Sequence, residues 1–152
     1  MANGKATEAD KLRGGYYTAP SIADALVSWA VRAPSDRVLE PSCGDGVFLA
    51  AVARRLLALG ASPEAAARQV TGVELVQGEA SKAAGAFRSL IGHDATVHCG
   101  DFFSFCDSRT LGDFDCAVGN PPFIRYHDFP ERSRLLARLL LLEYRVRVRH
   151  LR

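Results

Sequence analysis

Two adjacent prolines end an apolar run in Phe114-Asp-Cys-Ala-Val-Gly-Asn-Pro-Pro-Phe123, and no other stretch restricts the fold as tightly. Proline lacks the N–H that a sheet ladder needs, so a strand over residues 113–119 has to leave the sheet at Asn120. Pro122 keeps the loop that follows rigid. In an open parallel sheet, the carboxyl end of a strand is where ligands bind. Asn120 brings a side-chain carbonyl, Pro121 a backbone carbonyl of restricted direction, and Phe123 a flat apolar face. Together they suit a planar group that bears an amino.

Upstream the pattern alternates strand, turn and helix. Arg37-Val-Leu-Glu40 reads as the first strand and Pro41-Ser-Cys-Gly-Asp-Gly46 as the turn after it. Phe48, Leu49, Val52, Ala53, Leu56 and Leu59 then share one helical face, and Gly60 supplies the stop. Gly44 and Gly46 permit positive φ and close approach of a ligand, next to the partial positive charge of a helix N-terminus. Leu49 stands where a G-x-G-x-x-G fingerprint needs its third glycine, so the dinucleotide pattern fails. Taken alone, Gly-x-Gly reads by default as a tight turn without a ligand.

Ser62-Pro-Glu64 is a capped helix start with proline at its first position. Residues 70–75 read as the second strand, with Glu74 at its end, placed either to accept from ribose hydroxyls or to stand as a surface carboxylate. Residues 77–91 read as a helix and residues 96–99 as the third strand, followed by Gly100-Asp101-Phe102-Phe103. Such alternation calls for a parallel sheet with right-handed crossovers. Gly44 and Gly46, Glu74, Asp101 and Asn120 then lie along one edge.

Before the first strand, residues 1–13 are polar and expected to be flexible. Ile22, Leu26 and Trp29 recur at helical spacing. Ser21 with Asp24 forms a box-like cap on paper, and Thr18 competes with it as a cap or serves a ligand. At 152 residues and 48% apolar content, the chain suffices for one domain with a sizeable core. No apolar run is long enough to span a membrane and no signal peptide is visible, so a cytoplasmic protein is expected. Cys43, Cys99, Cys106 and Cys116 lack C-x-x-C spacing, which points to reduced thiols and no metal site. His98 alternates with apolar neighbours and reads as a packed or edge histidine. From residue 126 onward, seven Lys/Arg stand against three Asp/Glu. That basic end suits phosphates or is a solvated helix face and tail.

Gly14-Gly-Tyr-Tyr-Thr-Ala-Pro20, Leu39-Glu-Pro-Ser-Cys-Gly-Asp-Gly46, Gly72-Val-Glu-Leu75, Gly100-Asp-Phe-Phe103 and Val118-Gly-Asn-Pro-Pro-Phe123 occur in a telling order. In that order the chain resembles the γ-class N6-adenine DNA methyltransferases of bacterial restriction-modification systems. The resemblance covers residues 14–129 and implies a Rossmann-like α/β methyltransferase fold. It implies S-adenosylmethionine as cofactor, DNA as partner and adenine N6 as methyl acceptor. On this resemblance Thr18 touches the methionine end of the cofactor. Glu40, Cys43, Gly44 and Gly46 line its sulfonium region, Glu74 holds the ribose, Asp101 reads the adenine amino group and Phe102 packs beside that ring. Asn120, Pro121, Pro122 and Phe123 are the catalytic loop that receives the target base.

In this family, further strands, a second aromatic wall and a target-recognition domain follow the Asn-Pro-Pro-Phe loop, and the remaining 29 residues are too few for them. The resemblance thus implies the N-terminal catalytic part, an incomplete sheet of four strands, and an exposed fourth-strand edge open to self-association or a complementing subunit. Residues 130–152 form a basic tail in which Leu135–Leu142 suits a helix and residues 144–149 an edge strand. Three alternatives stay open: N4-cytosine as acceptor, an amino group of a protein glutamine or RNA, and a non-enzymatic binding or assembly remnant.

Overall fold

The computed structural model describes residues 17–106 and 113–143. The expectations for residues 1–13 and for the 144–149 strand lie outside them. Four parallel strands form one sheet: β1 (Val38–Glu40), β2 (Val70–Glu74), β3 (Thr96–Cys99) and β4 (Cys116–Ala117). Their order is β3-β2-β1-β4. Chain order therefore reverses between β1 and β4, and such a switch point opens a crevice at the carboxyl ends of the strands. The fourth strand is much shorter than residues 113–119. Its flank is nevertheless pinned, because the Arg37 N–H donates to Asp115 Oδ2 at 2.7 Å and the Val118 N–H to the Leu39 carbonyl at 3.0 Å.

Among the described residues, six α-helices accompany the sheet: α1 (Pro20–Ala30), α2 (Val47–Ala58), α3 (Pro63–Gln69), α4 (Gln77–Ile91), α5 (Phe102–Phe105) and α6 (Glu131–Glu143). The α2 stripe read from sequence is the centre of the core: Phe48, Leu49, Val52 and Leu56 are all buried, against Val38 and Val70 of the sheet and Phe87 of α4. Each such side chain contributes about 1.5–3 kcal/mol by leaving water. Leu39 and Val73 are buried outside that cluster.

Two features of α1 differ from the sequence reading. Its N-cap is Ala19 with no side-chain bond, so neither the Ser21 box nor a Thr18 cap forms. Proline at the first helical position removes one of the donors that a cap would satisfy. The buried residues of α1 are Ala23 and Val27, whereas Ile22, Leu26 and Trp29 face solvent. The smaller stripe is the one that lets α1 approach α2 closely.

Gly46 shows how tightly the turn after β1 is fitted. Its φ is +90°, and a Cβ there would lie 2.8 Å from Ala83 Cα on α4. Replacing Gly46 by alanine is therefore expected to cost about 2–4 kcal/mol, combining left-handed strain with overpacking. Gly85→Ala, in open space within α4, is expected to gain about 0.5–1 kcal/mol. Urea denaturation of the two variants checks both signs.

Candidate active site

Strand register brings the predicted residues to one edge. Glu40 lies opposite Gly72 at the end of β1, Glu74 opposite Cys99 at the ends of β2 and β3, and Asn120 follows β4 by three residues. The cleft at the switch point, about 50 Å³, is lined among others by Thr18, Glu40, Ser42, Cys43, Gly44 and Asn120. That volume encloses a small part of a ligand, and the remainder of the edge is open.

Glu40 governs the electrostatics of this cleft. It is 2% exposed, and its Oε2, like Ser42 Oγ, is buried without a hydrogen-bond partner. Burial pushes its carboxyl up to about 9, and the negative charges of Asp45 and Glu74 add to that, against a lowering bond from the Leu49 backbone. The acid is thus protonated at neutral pH in the unliganded protein. Gly119 lies beside it, and a Cβ there would stand in van der Waals contact, 3.4 Å from Glu40 Cγ. Glu40 and Ser42 both line the cleft, so their buried oxygens leave hydrogen-bonding capacity unmet there.

The glycine turn is held from β2. Glu74 accepts from the Gly44 N–H at 2.9 Å through Oε2 and from the Val76 N–H at 2.8 Å through Oε1. Each oxygen retains a second acceptor position for a ligand hydroxyl. The Cys43 N–H donates to the Val73 carbonyl at 2.9 Å. Cys43 Sγ sits where a Cβ on Gly72 would approach to 3.0 Å, and burial pushes the thiol up to about 12, with Glu40 and Glu74 adding to it. It stays protonated and is no nucleophile. The side of Gly46 that a Cβ would occupy faces Ala83 of α4. All four cysteines are free thiols, and His98 is an exposed edge residue whose ring meets Phe105 at 4.8 Å.

Asp101 is the N-cap of α5. Its Oδ1 accepts from the Ser104 N–H at 2.9 Å and from Ser104 Oγ at 3.1 Å, while Oδ2 accepts from Ser133 Oγ at 3.1 Å. Phe102 is half-buried and meets Phe103 edge to face at 5.9 Å.

The Asn-Pro-Pro-Phe loop stands at the surface. Its Ile124 N–H donates to the Pro122 carbonyl at 3.0 Å, closing a tight turn. Phe123 is 78% exposed, so its ring offers a face for stacking. Asn120 Nδ2 donates to Thr18 Oγ1 at 3.2 Å, a contact across 102 residues that no local pattern announces. This bond fixes the amide so that Oδ1 is the atom turned to accept. Sequence reasoning also missed Ser42 and Ser133, small hydroxyls whose roles arise only from burial. Among the described residues, no group of His, Cys, Asp or Glu is arranged to hold a metal ion, and no helix is long and apolar enough to cross a membrane.

Solved structures share this architecture, two of them modification subunits of type I restriction enzymes. One is a modification subunit of a putative type I restriction enzyme from Vibrio vulnificus YJ016, with a TM-score of 0.61 at 19% identity over 85% of this chain. The other is the type I restriction enzyme EcoKI M protein, with a TM-score of 0.56 at 20% identity over 75% of this chain. The chain spans 30% and 26% of the lengths of those two proteins. No curated protein matches it by sequence. The fold is accordingly part of the α/β methyltransferase fold of restriction-enzyme modification subunits. The N-6 DNA Methylase family matches residues 2–135, and the chain belongs to that family.

Proposed function

We propose that this chain is the cofactor-binding and catalytic half of a cytoplasmic S-adenosylmethionine-dependent DNA methyltransferase that acts on adenine N6. The observation that carries this reading is the Asn120–Thr18 bond. It joins the Asn-Pro-Pro-Phe loop to the cleft of Glu40 and Gly44, so acceptor group and methyl donor meet at one switch point.

The residues fit the cofactor. Glu40 and Ser42 present unpartnered oxygens to a cationic, donor-bearing ligand. Glu74 has acceptor capacity for ribose hydroxyls, Asp101 for a ring amino group, and Phe102 an apolar flank. Thr18, Cys43, Gly44 and Gly46 shape the walls and the turn. When bound, S-adenosylmethionine supplies a methyl group already activated on a sulfonium.

The chain's own residues have to orient a poor nucleophile. Adenine N6 is poor because its lone pair is delocalised into the ring. Carbonyl oxygens of Asn120 and Pro121 accepting both amino hydrogens favour a pyramidal nitrogen and return the lone pair to it in the transition state. Pro122 holds the loop rigid, and Phe123 stacks on the extruded base, contributing about 1–3 kcal/mol against an extrusion cost of a few kcal/mol. Proton removal needs no strong base, since nitrogen sheds the proton after the methyl arrives.

The β4 edge, which among the described strands pairs with β1 alone, is the surface through which a complementing subunit or second copy completes the sheet. Calorimetric titration with S-adenosylmethionine tests the reading. Saturable one-site binding is expected, and folded protein that takes up no cofactor would overturn it.

A further inference from the structure

Ser133 and Glu40 are the buried polar residues among those described. Glu40 belongs to the cleft. Ser133 lies on α6, ten residues beyond Phe123, and the partner of its hydroxyl is Asp101 Oδ2 at 3.1 Å. Phe129, just before α6, meets Phe103 edge to face at 5.9 Å. The segment after the Asn-Pro-Pro-Phe loop is therefore anchored twice at the mouth of β3.

An ionised carboxylate offers about four acceptor positions. Ser104 takes both of those on Oδ1 through its N–H and its hydroxyl, and Ser133 takes one on Oδ2. One position remains, on Oδ2, adjacent to the serine. We infer that Ser133 is a positioning residue: it pins Asp101 so that this single oxygen position is presented to an amino group of the ligand. The inference rests on the proposed reading of Asp101 as partner of the cofactor's adenine. It adds that a helix continuous with the base-receiving loop sets the cofactor's purine selectivity.

Without the Ser133 hydroxyl, the carboxylate is held through Oδ1 alone, and Oδ2 gains a second vacant position and freedom to turn. A ligand amino group then loses its advantage over an oxo group at the same ring position. The test is calorimetric titration of S-adenosylhomocysteine and its 6-oxo counterpart, S-inosylhomocysteine, into wild type, Ser133→Ala and Ser133→Thr. Wild type is expected to prefer the amino compound. Ser133→Ala is expected to reduce that preference by about five- to tenfold, the order expected for one hydrogen bond to a charged group, and Ser133→Thr to retain it. An equal loss of affinity for both compounds in Ser133→Ala, or an unchanged preference, overturns the inference while leaving the cofactor reading intact. Absence of any preference in wild type overturns the role of Asp101 itself, and the inference with it.

Discussion

Between pH 6 and pH 9, the affinity of wild type for S-adenosylmethionine relative to that of Glu40→Gln is expected to rise by up to about tenfold per pH unit. Taking the ratio cancels any ionisation of the ligand. The cause is the buried Glu40 carboxyl, pushed up to about 9 by desolvation and by the charges of Asp45 and Glu74. A cationic ligand in the cleft favours the ionised form, so binding has to expel a proton wherever the free protein holds one. Raising the pH removes that requirement, and the gain levels off above about 9. A ratio that stays flat across the range would show that no cation meets this carboxylate. S-adenosylhomocysteine, lacking the sulfonium charge, is expected to show a shallower rise.

The same group sets a stability trend of opposite sign. Its folded pKa, about 9, lies above the ordinary value of 4.5. The folded state thus holds a proton that the unfolded chain has lost. Stability from this source is complete below pH 4.5 and declines as pH rises toward 9, at no more than about 1.4 kcal/mol per unit. Glu40→Gln keeps the shape without the titration. Its urea midpoint is expected to overtake that of wild type as pH increases.

Asn120→Ala is expected to leave S-adenosylmethionine affinity within about threefold of wild type, since the bond it loses, to Thr18, lies at a half-open site where water substitutes. Labelled methyl transfer to DNA by the complemented chain is expected to fall by about 10²–10³-fold, the usual cost of deleting one group that stabilises the transition state. Thr18→Val leaves the Asn120 carbonyl in place but removes the oxygen that orients it. A loss of about tenfold is expected there, as for one hydrogen bond that holds geometry. Equal losses in binding and transfer for Asn120→Ala would place that side chain on the cofactor and not on the base.

Much of this site was legible because its parts are punctuation. Pro121 and Pro122 forbid a strand, Gly44 and Gly46 enable a turn, and Glu74 at the end of β2 and Asp101 just after β3 need only the alternation of strand and helix to fall on one edge. Chain-local rules act there. The α1 stripe was not legible in that way. Ala23 and Val27 recur at the same spacing as Ile22 and Leu26, so periodicity offered two faces, and closeness to α2 chose the smaller.

By itself, then, the sequence determined the order of elements, the parallel sheet and the family, because glycine, proline and apolar period act over a few residues. Only the tertiary structure decided which acid is buried, which amide oxygen is presented and which hydroxyl steadies Asp101. Desolvation of Glu40 depends on everything packed around it, and the Asn120–Thr18 and Ser133–Asp101 bonds join residues 102 and 32 positions apart. The Asn-Pro-Pro-Phe loop was visible from its own residues. What ties it to the cleft is a threonine 102 residues away.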